Sequence, residues 1–196
     1  MAEEQKNSSK ALKTQKKIRN VLAELLTKKK MRYITVQEIA EKANISRTTF
    51  YHYYTDVYAV YEHTEQIILN KLESIVQSLG AENETVMFRS IITYIENNSE
   101  VFRMVFSFNA TARLRLMIGA MLESSLVKLW LKRADTRRPV VNETHKYLIH
   151  YHVSGCLSVI SEWAWNNYSD PKEMVINTLM IANQAAEKTS MGLDEG

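Results

Sequence analysis

Apolar residues recur at helical spacing along nearly the whole chain. Ile18, Val21, Leu22, Leu25 and Leu26 stand at i, i+3, i+4, i+7 and i+8, which predicts an amphipathic helix over 9–28 with its lysines turned outward. Thr35 with Glu38 three residues later makes a capping box, opening a helix that turns Ile39 and Ala40 inward. That helix ends near Ala43, because Asn44 can take the left-handed conformation without being glycine. Ser46 caps a third helix over 47–53, about two turns long, with Ile45 placed to staple its first turn. A fourth starts at Thr55 or Asp56 and keeps its spacing through Val60, Thr64, Ile67, Ile68, Leu72, Ile75, Val76 and Leu79 until Gly80. Beyond a linker at 80–84, helices are expected at 84–97, 99–108, 111–133, 142–167 and 171–188. The last opens with an Asp170 cap, Pro171 in the first helical position and Glu173 closing a capping box. Residues 134–140 form a basic, proline-containing loop, and 1–8 and 190–196 are expected to fray. The expected fold is all-α, with about nine helices and no strand.

Composition supports this and removes several function classes. The 5 Gly and 2 Pro in 196 residues are too few for the turns of a sandwich or barrel. One cysteine excludes an internal disulfide, and no apolar run reaches the ~20 residues that span a bilayer, so a cytoplasmic protein of one or two domains is expected. Charge is uneven. Up to residue 56 there are 12 Lys and Arg against 6 Asp and Glu, a net +6; beyond it 13 stand against 16, a net −3. A basic module ahead of a mildly acidic body suggests a polyanion partner for the first part, although such a run can also be a solvated face.

The stretch 35–56, TVQEIAEKANISRTTFYHYYTD, is a capped helix, a tight turn and a short second helix: a helix-turn-helix, whose second helix enters the DNA major groove. Phe50 must face inward onto Ile39 and Ala40, which sends Arg47, Thr48, Tyr51 and His52 to the opposite arc. Arginine bridges guanine O6 and N7, threonine methyls touch thymine methyls, and Tyr and His tips reach phosphate oxygens. The bland alternative is an ordinary helical hairpin. SRTTFYHYY after TVQEIAEKANI resembles the TetR/AcrR family of bacterial transcriptional regulators over about residues 14–69. The resemblance implies phosphate contacts from Thr35 and Tyr51, base contacts from Gln37, Arg47, Thr48 and Thr49, and backbone contacts from His52 and Tyr53, with Ser46 completing the DNA-binding set. Two positions depart from the family: Asn44 stands where glycine is common, and Val57 where a phosphate-binding lysine is common, leaving Lys10, Lys13, Lys16 or the 28–32 run to compensate.

The later part resembles the regulatory domains of the dihydroxyacetone-kinase-activator branch of that family, through Tyr94-Ile95-Glu96-Asn97-Asn98, Phe102 and Ser154-Gly155 with Trp163. That implies helices eight and nine pairing with their copies as a four-helix dimer bundle. Tyr151, Ser154, Gly155, Ser158 and Glu162 suit it, since small side chains recur at helical spacing and a mid-helix glycine costs ~1 kcal/mol unless close packing uses it. Packing within one subunit is the alternative use of that glycine. The apolar stock of Met87, Phe88, Met104, Phe106, Phe108, Met117, Met121 and Trp130 is chiefly core, and no ligand residue is assigned from it.

His145, His152 and Cys156 fall roughly on one helix face, but no further ligand at usual spacing accompanies them, so neither metal nor other cofactor is expected. No phosphate loop, nucleophile elbow or H-E-x-x-H helix occurs, which argues against an enzyme. The expected organisation is a DNA-binding domain at 9–56 and a regulatory, dimerising domain at 57–190. The expected partners are double-stranded DNA, a second copy of the chain, and a small-molecule effector or partner protein. A helical protein-interaction module is the competing reading.

Overall fold

The spacing of apolar residues is realised as helix throughout. The computed structural model describes residues 2–79, 84–107, 112–133 and 143–192. Among these are nine α-helices, α1 (Ala2–Lys28), α2 (Val36–Lys42), α3 (Arg47–Tyr53), α4 (Val57–Leu79), α5 (Glu84–Asn97), α6 (Ser99–Phe106), α7 (Ala112–Arg133), α8 (Glu143–Trp165) and α9 (Lys172–Gly192), with no strand. The linker expected at 80–84, apart from Glu84, and the loop expected at 134–140 lie outside the described residues, as does Phe108.

Three local differences from the sequence reading have physical causes. Helix α1 runs back to Ala2 through residues expected to fray, because Ala, Glu, Gln and Lys are good helix formers and extension costs little once a helix is nucleated. A 3-10 turn, Met31–Tyr33, joins α1 to α2 where no element was expected; Tyr33 N–H donates to the Lys30 carbonyl (3.0 Å) and Ile34 N–H to that of Met31 (2.9 Å). Helix α9 starts at Lys172. Asp170 is occupied elsewhere, its carbonyl accepting from the Trp163 indole (3.0 Å) and its carboxylate from the Asn166 amide (3.1 Å).

The chain forms two compact units that do not follow chain order. Residues Met1–Ile68 and Glu100–Ala112 make one; Leu69–Ser99 and Arg113–Gly196 make the other, so α4 is divided between them. In the first unit Ile18, Leu22 and Leu26 of α1, Ile39 of α2 and Phe50 of α3 are essentially inaccessible to water. Burying aliphatic and aromatic side chains of this size contributes roughly 1.5–3 kcal/mol each, which is what holds the short α2 and α3 to the long α1. Helix α6 buries Val101, Phe102, Met104, Val105 and Phe106.

In the second unit α9 packs along α8 and α5. Its core includes Ile92, Leu114, Ile149, Trp163, Ile176 and Leu179. Two ion pairs join α5 to α9, Arg89 with Glu173 in water and Lys172 with Glu96 (3.0 Å), half-buried. Helix α8 ends in a Schellman arrangement: Tyr168 N–H reaches the Trp163 carbonyl (2.9 Å) and Asn167 N–H that of Ala164 (3.2 Å), with both Asn167 and Tyr168 at positive φ. The Tyr168 hydroxyl donates to the Ser99 carbonyl (2.8 Å), and its ring meets Trp163 edge-on. No helix of the described residues is long and apolar enough to cross a membrane.

Candidate nucleic-acid interface

Each end of the short helix pair is fixed by a side chain or a turn that the sequence specifies. Thr35 Oγ1 accepts from the Glu38 amide (3.2 Å) and Ser46 Oγ from the Thr49 amide (3.0 Å), satisfying donors that the first turns of α2 and α3 leave open. Between the helices Asn44 stands at φ 52°, the left-handed conformation it was expected to adopt. Its N–H bonds the Glu41 carbonyl (3.1 Å) and that of Ile45 the Ala40 carbonyl (3.0 Å), a Schellman turn with asparagine in the glycine position. Only half of the expected capping box forms at Thr35, because the Glu38 carboxylate accepts from Lys29 Nζ (2.6 Å) instead.

With Phe50 buried, Arg47, Thr48, Tyr51 and His52 lie in water on the outer arc of α3. Thr35, Gln37 and Ser46 are also exposed; Thr49 and Tyr53 are half-buried. Several polar groups already have partners. Thr49 Oγ1 is 2.8 Å from Ser46 Oγ, and the Gln37 amide donates to the Glu41 carboxylate (2.9 Å). His52 rests edge-on against Tyr53, with ring centres 4.8 Å apart. The guanidinium of Arg47 and the hydroxyls of Thr48 and Tyr51 are therefore the groups of α3 most free to meet a ligand. Val57 is buried, so this position serves the core.

A polar cluster behind α3 was not legible in the sequence, because its members come from two helices and from the residue that ends a third. The Tyr54 hydroxyl lies 2.9 Å from His63 Nδ1 on α4, near Arg19 of α1. Burial, and then the positive charge of Arg19, hold the His63 imidazole below the ordinary histidine range; burial raises the Tyr54 phenol. The hydrogen bond between phenol and imidazole ties the end of α3 to α4.

In the second unit Tyr151, Ser154, Gly155, Ser158 and Glu162 share an exposed face of α8. Tyr151 is 79% exposed, and a Cβ added at Gly155 would meet no atom within 4 Å. Exposed Ile181 and Met174 lie on α9. His152 is buried with its Nε2 3.0 Å from Asn183 Oδ1 and 3.7 Å from Cys156 Sγ, and His145 is buried as well. Burial pushes the Cys156 thiol up to about 11, so the thiolate that binds metals is scarce. Among the described residues no three His, Cys, Asp or Glu side chains are grouped to hold a metal ion.

Residues 18–63 match the family described as bacterial regulatory proteins, tetR family, and residues 82–184 match the TetR transcriptional regulator C-terminal region. No curated protein sequence matches the chain. Among solved structures, the chain is similar to a tetR-family transcriptional regulator from Streptomyces coelicolor, with a TM-score of 0.64 at 16% identity over 93% of this chain and 84% of that one. It is also similar to the dihydroxyacetone kinase operon activator DhaS, with a TM-score of 0.60 at 16% identity over 90% of this chain and 97% of that one. The fatty acid degradation regulator FadR from Bacillus halodurans gives 0.60 at 12% identity over 89% and 94%. At these identities the likeness is one of fold.

Proposed function

The chain belongs to the TetR family of bacterial regulatory proteins, and from that premise we propose that it acts as a homodimer reading a two-fold symmetric operator. It is a DNA-binding transcriptional regulator and not an enzyme. In our reading residues 9–56 are the DNA-binding domain and 57–190 the regulatory and dimerising domain of a cytoplasmic protein.

The observation that carries the reading is the outer arc of α3. Arg47, Thr48, Tyr51 and His52 are exposed on a helix held by buried Phe50, a serine cap and a left-handed Asn44. Arg47 and Thr48 would read base edges, with Gln37 and the Thr49 methyl at the margin. Thr35, Ser46, Tyr51, His52 and Tyr53 would contact the backbone.

Dimerisation through α8 and α9 would take the exposed Tyr151, Ile181 and Met174 out of water. The open space above Gly155 supports it, because nothing within the subunit requires a glycine there. A two-fold dimer would place its recognition helices about 34–36 Å apart, one turn of DNA. A small ligand or partner protein that favours one arrangement of the later helices would change that separation through α4.

The test is selection of bound duplexes from a random pool at two salt concentrations. A palindromic consensus, bound more weakly as salt rises, is expected. Enrichment without consensus would reduce the α3 arc to a basic surface and return the protein-interaction reading.

A further inference from the structure

The basic run between α1 and α2 divides sharply in the structure. Lys28 Nζ is 2.6 Å from Glu24 and Lys29 Nζ 2.6 Å from Glu38. Lys30 and Arg32 are exposed and have no carboxylate partner among the described residues. Arg32 is nevertheless held: its guanidinium carbon stands 4.8 Å from the centre of the Tyr33 ring. Tyr33 is itself 58% exposed. The 3-10 turn fixes this pair, with buried Ile34 as its anchor and Thr35 next in the chain.

An unneutralised arginine stacked on an aromatic ring in water is a cation already ordered for an anionic ligand, because the stack removes much of the rotamer freedom that binding would otherwise cost. The planar fork of arginine matches phosphate oxygens with two hydrogen bonds, and a tyrosine hydroxyl supplies another donor. Arg32 is three residues from Thr35, so their Cα atoms are at most about 11 Å apart, within one or two phosphates along a strand.

We propose that Lys30, Arg32 and Tyr33 form a second DNA-backbone clamp beside α2 that grips phosphates without reading bases. This rests on the DNA-binding reading above and adds contacts outside the helix pair. Lys28 and Lys29, spent on Glu24 and Glu38, take no part in it.

The test uses the full chain and two duplexes, the selected consensus and a random sequence of equal length, titrated across salt. Replacing Arg32→Gln should lower the slope of log affinity against log salt by about 0.9 per bound subunit, and adding Lys30→Gln should double that change. Each lost contact should weaken binding roughly fivefold at 0.15 M salt, equally on both duplexes. Tyr33→Phe should keep most of the Arg32 contribution and Tyr33→Ala should lose part of it. The charge-matched Lys28→Gln should move the slope less. A salt slope in Arg32→Gln equal to that of a salt-sensitive wild-type chain, or an equal effect from Lys28→Gln, would overturn the clamp and leave the reading of α3 intact. A wild-type chain without salt-sensitive DNA affinity would sink both.

Discussion

Thr48 and Phe50 are two residues apart, about 200° around the helix, and the spacing alone was enough to separate them; Arg47, in the first position after the Ser46 cap, is exposed as well. Phe50 had to be apolar to cover Ile39; what remained on the other arc was the set of side chains that can address DNA. Arg47→Ala should therefore leave folding intact and cost ~1–3 kcal/mol of discrimination at one base pair of the consensus, measured as the affinity difference between it and the single-pair variant. His63 illustrates the opposite limit of legibility. Its partners Tyr54 and Arg19 lie 9 and 44 positions away, and no local pattern links them. Because the folded chain holds this imidazole below its ordinary value of 6.5, the unfolded chain binds the proton more tightly. The stability His63 contributes is complete above that value and falls as pH drops below it toward the depressed native value. Urea midpoints between pH 7.5 and 5 should fall less in His63→Gln than in the wild-type chain.

The caps show how far element boundaries can be read. Thr35 and Ser46 do what their positions require, because an N-cap needs only a side-chain oxygen and an amide three residues on. Thr35→Ala and Ser46→Ala should each cost ~1 kcal/mol in denaturant unfolding without changing core burial. The glutamates of the two capping boxes behave otherwise. Glu38 goes to Lys29 and Glu173 to Arg89, partners 9 and 84 residues away that a local motif cannot anticipate. The 3-10 turn escaped for a related reason: three residues carry no periodicity, and its geometry rests on two backbone bonds and one buried isoleucine. Asn44 lay within reach of sequence reasoning because few side chains tolerate a left-handed turn.

At the scale of the molecule, Gly155 separates packing within a subunit from packing between subunits. In a lone subunit an alanine there meets nothing within 4 Å and raises helix propensity by ~1 kcal/mol, so monomer stability should rise. At a close helix crossing the same methyl pushes partners apart. Sedimentation of Gly155→Ala should show weakened dimerisation beside that gain, and an unchanged dimer would move the interface off Gly155. Helix count and order were visible in the periodicity; the grouping of helices into units was not, because periodicity says which face is buried and not against what. The division of the chain bears on its synthesis. The unit carrying the recognition helix draws on 100–106 as well as on the first 68 residues, and the intervening 69–99 belong to the other unit. A nascent chain that has just released α3 and α4 from the ribosome still lacks α6 and its five buried side chains. DNA-binding capacity should then mature only after α6 has been made, and a chain stopped after Ile68 should yield a fragment that proteases clear rather than a free DNA-binding competitor.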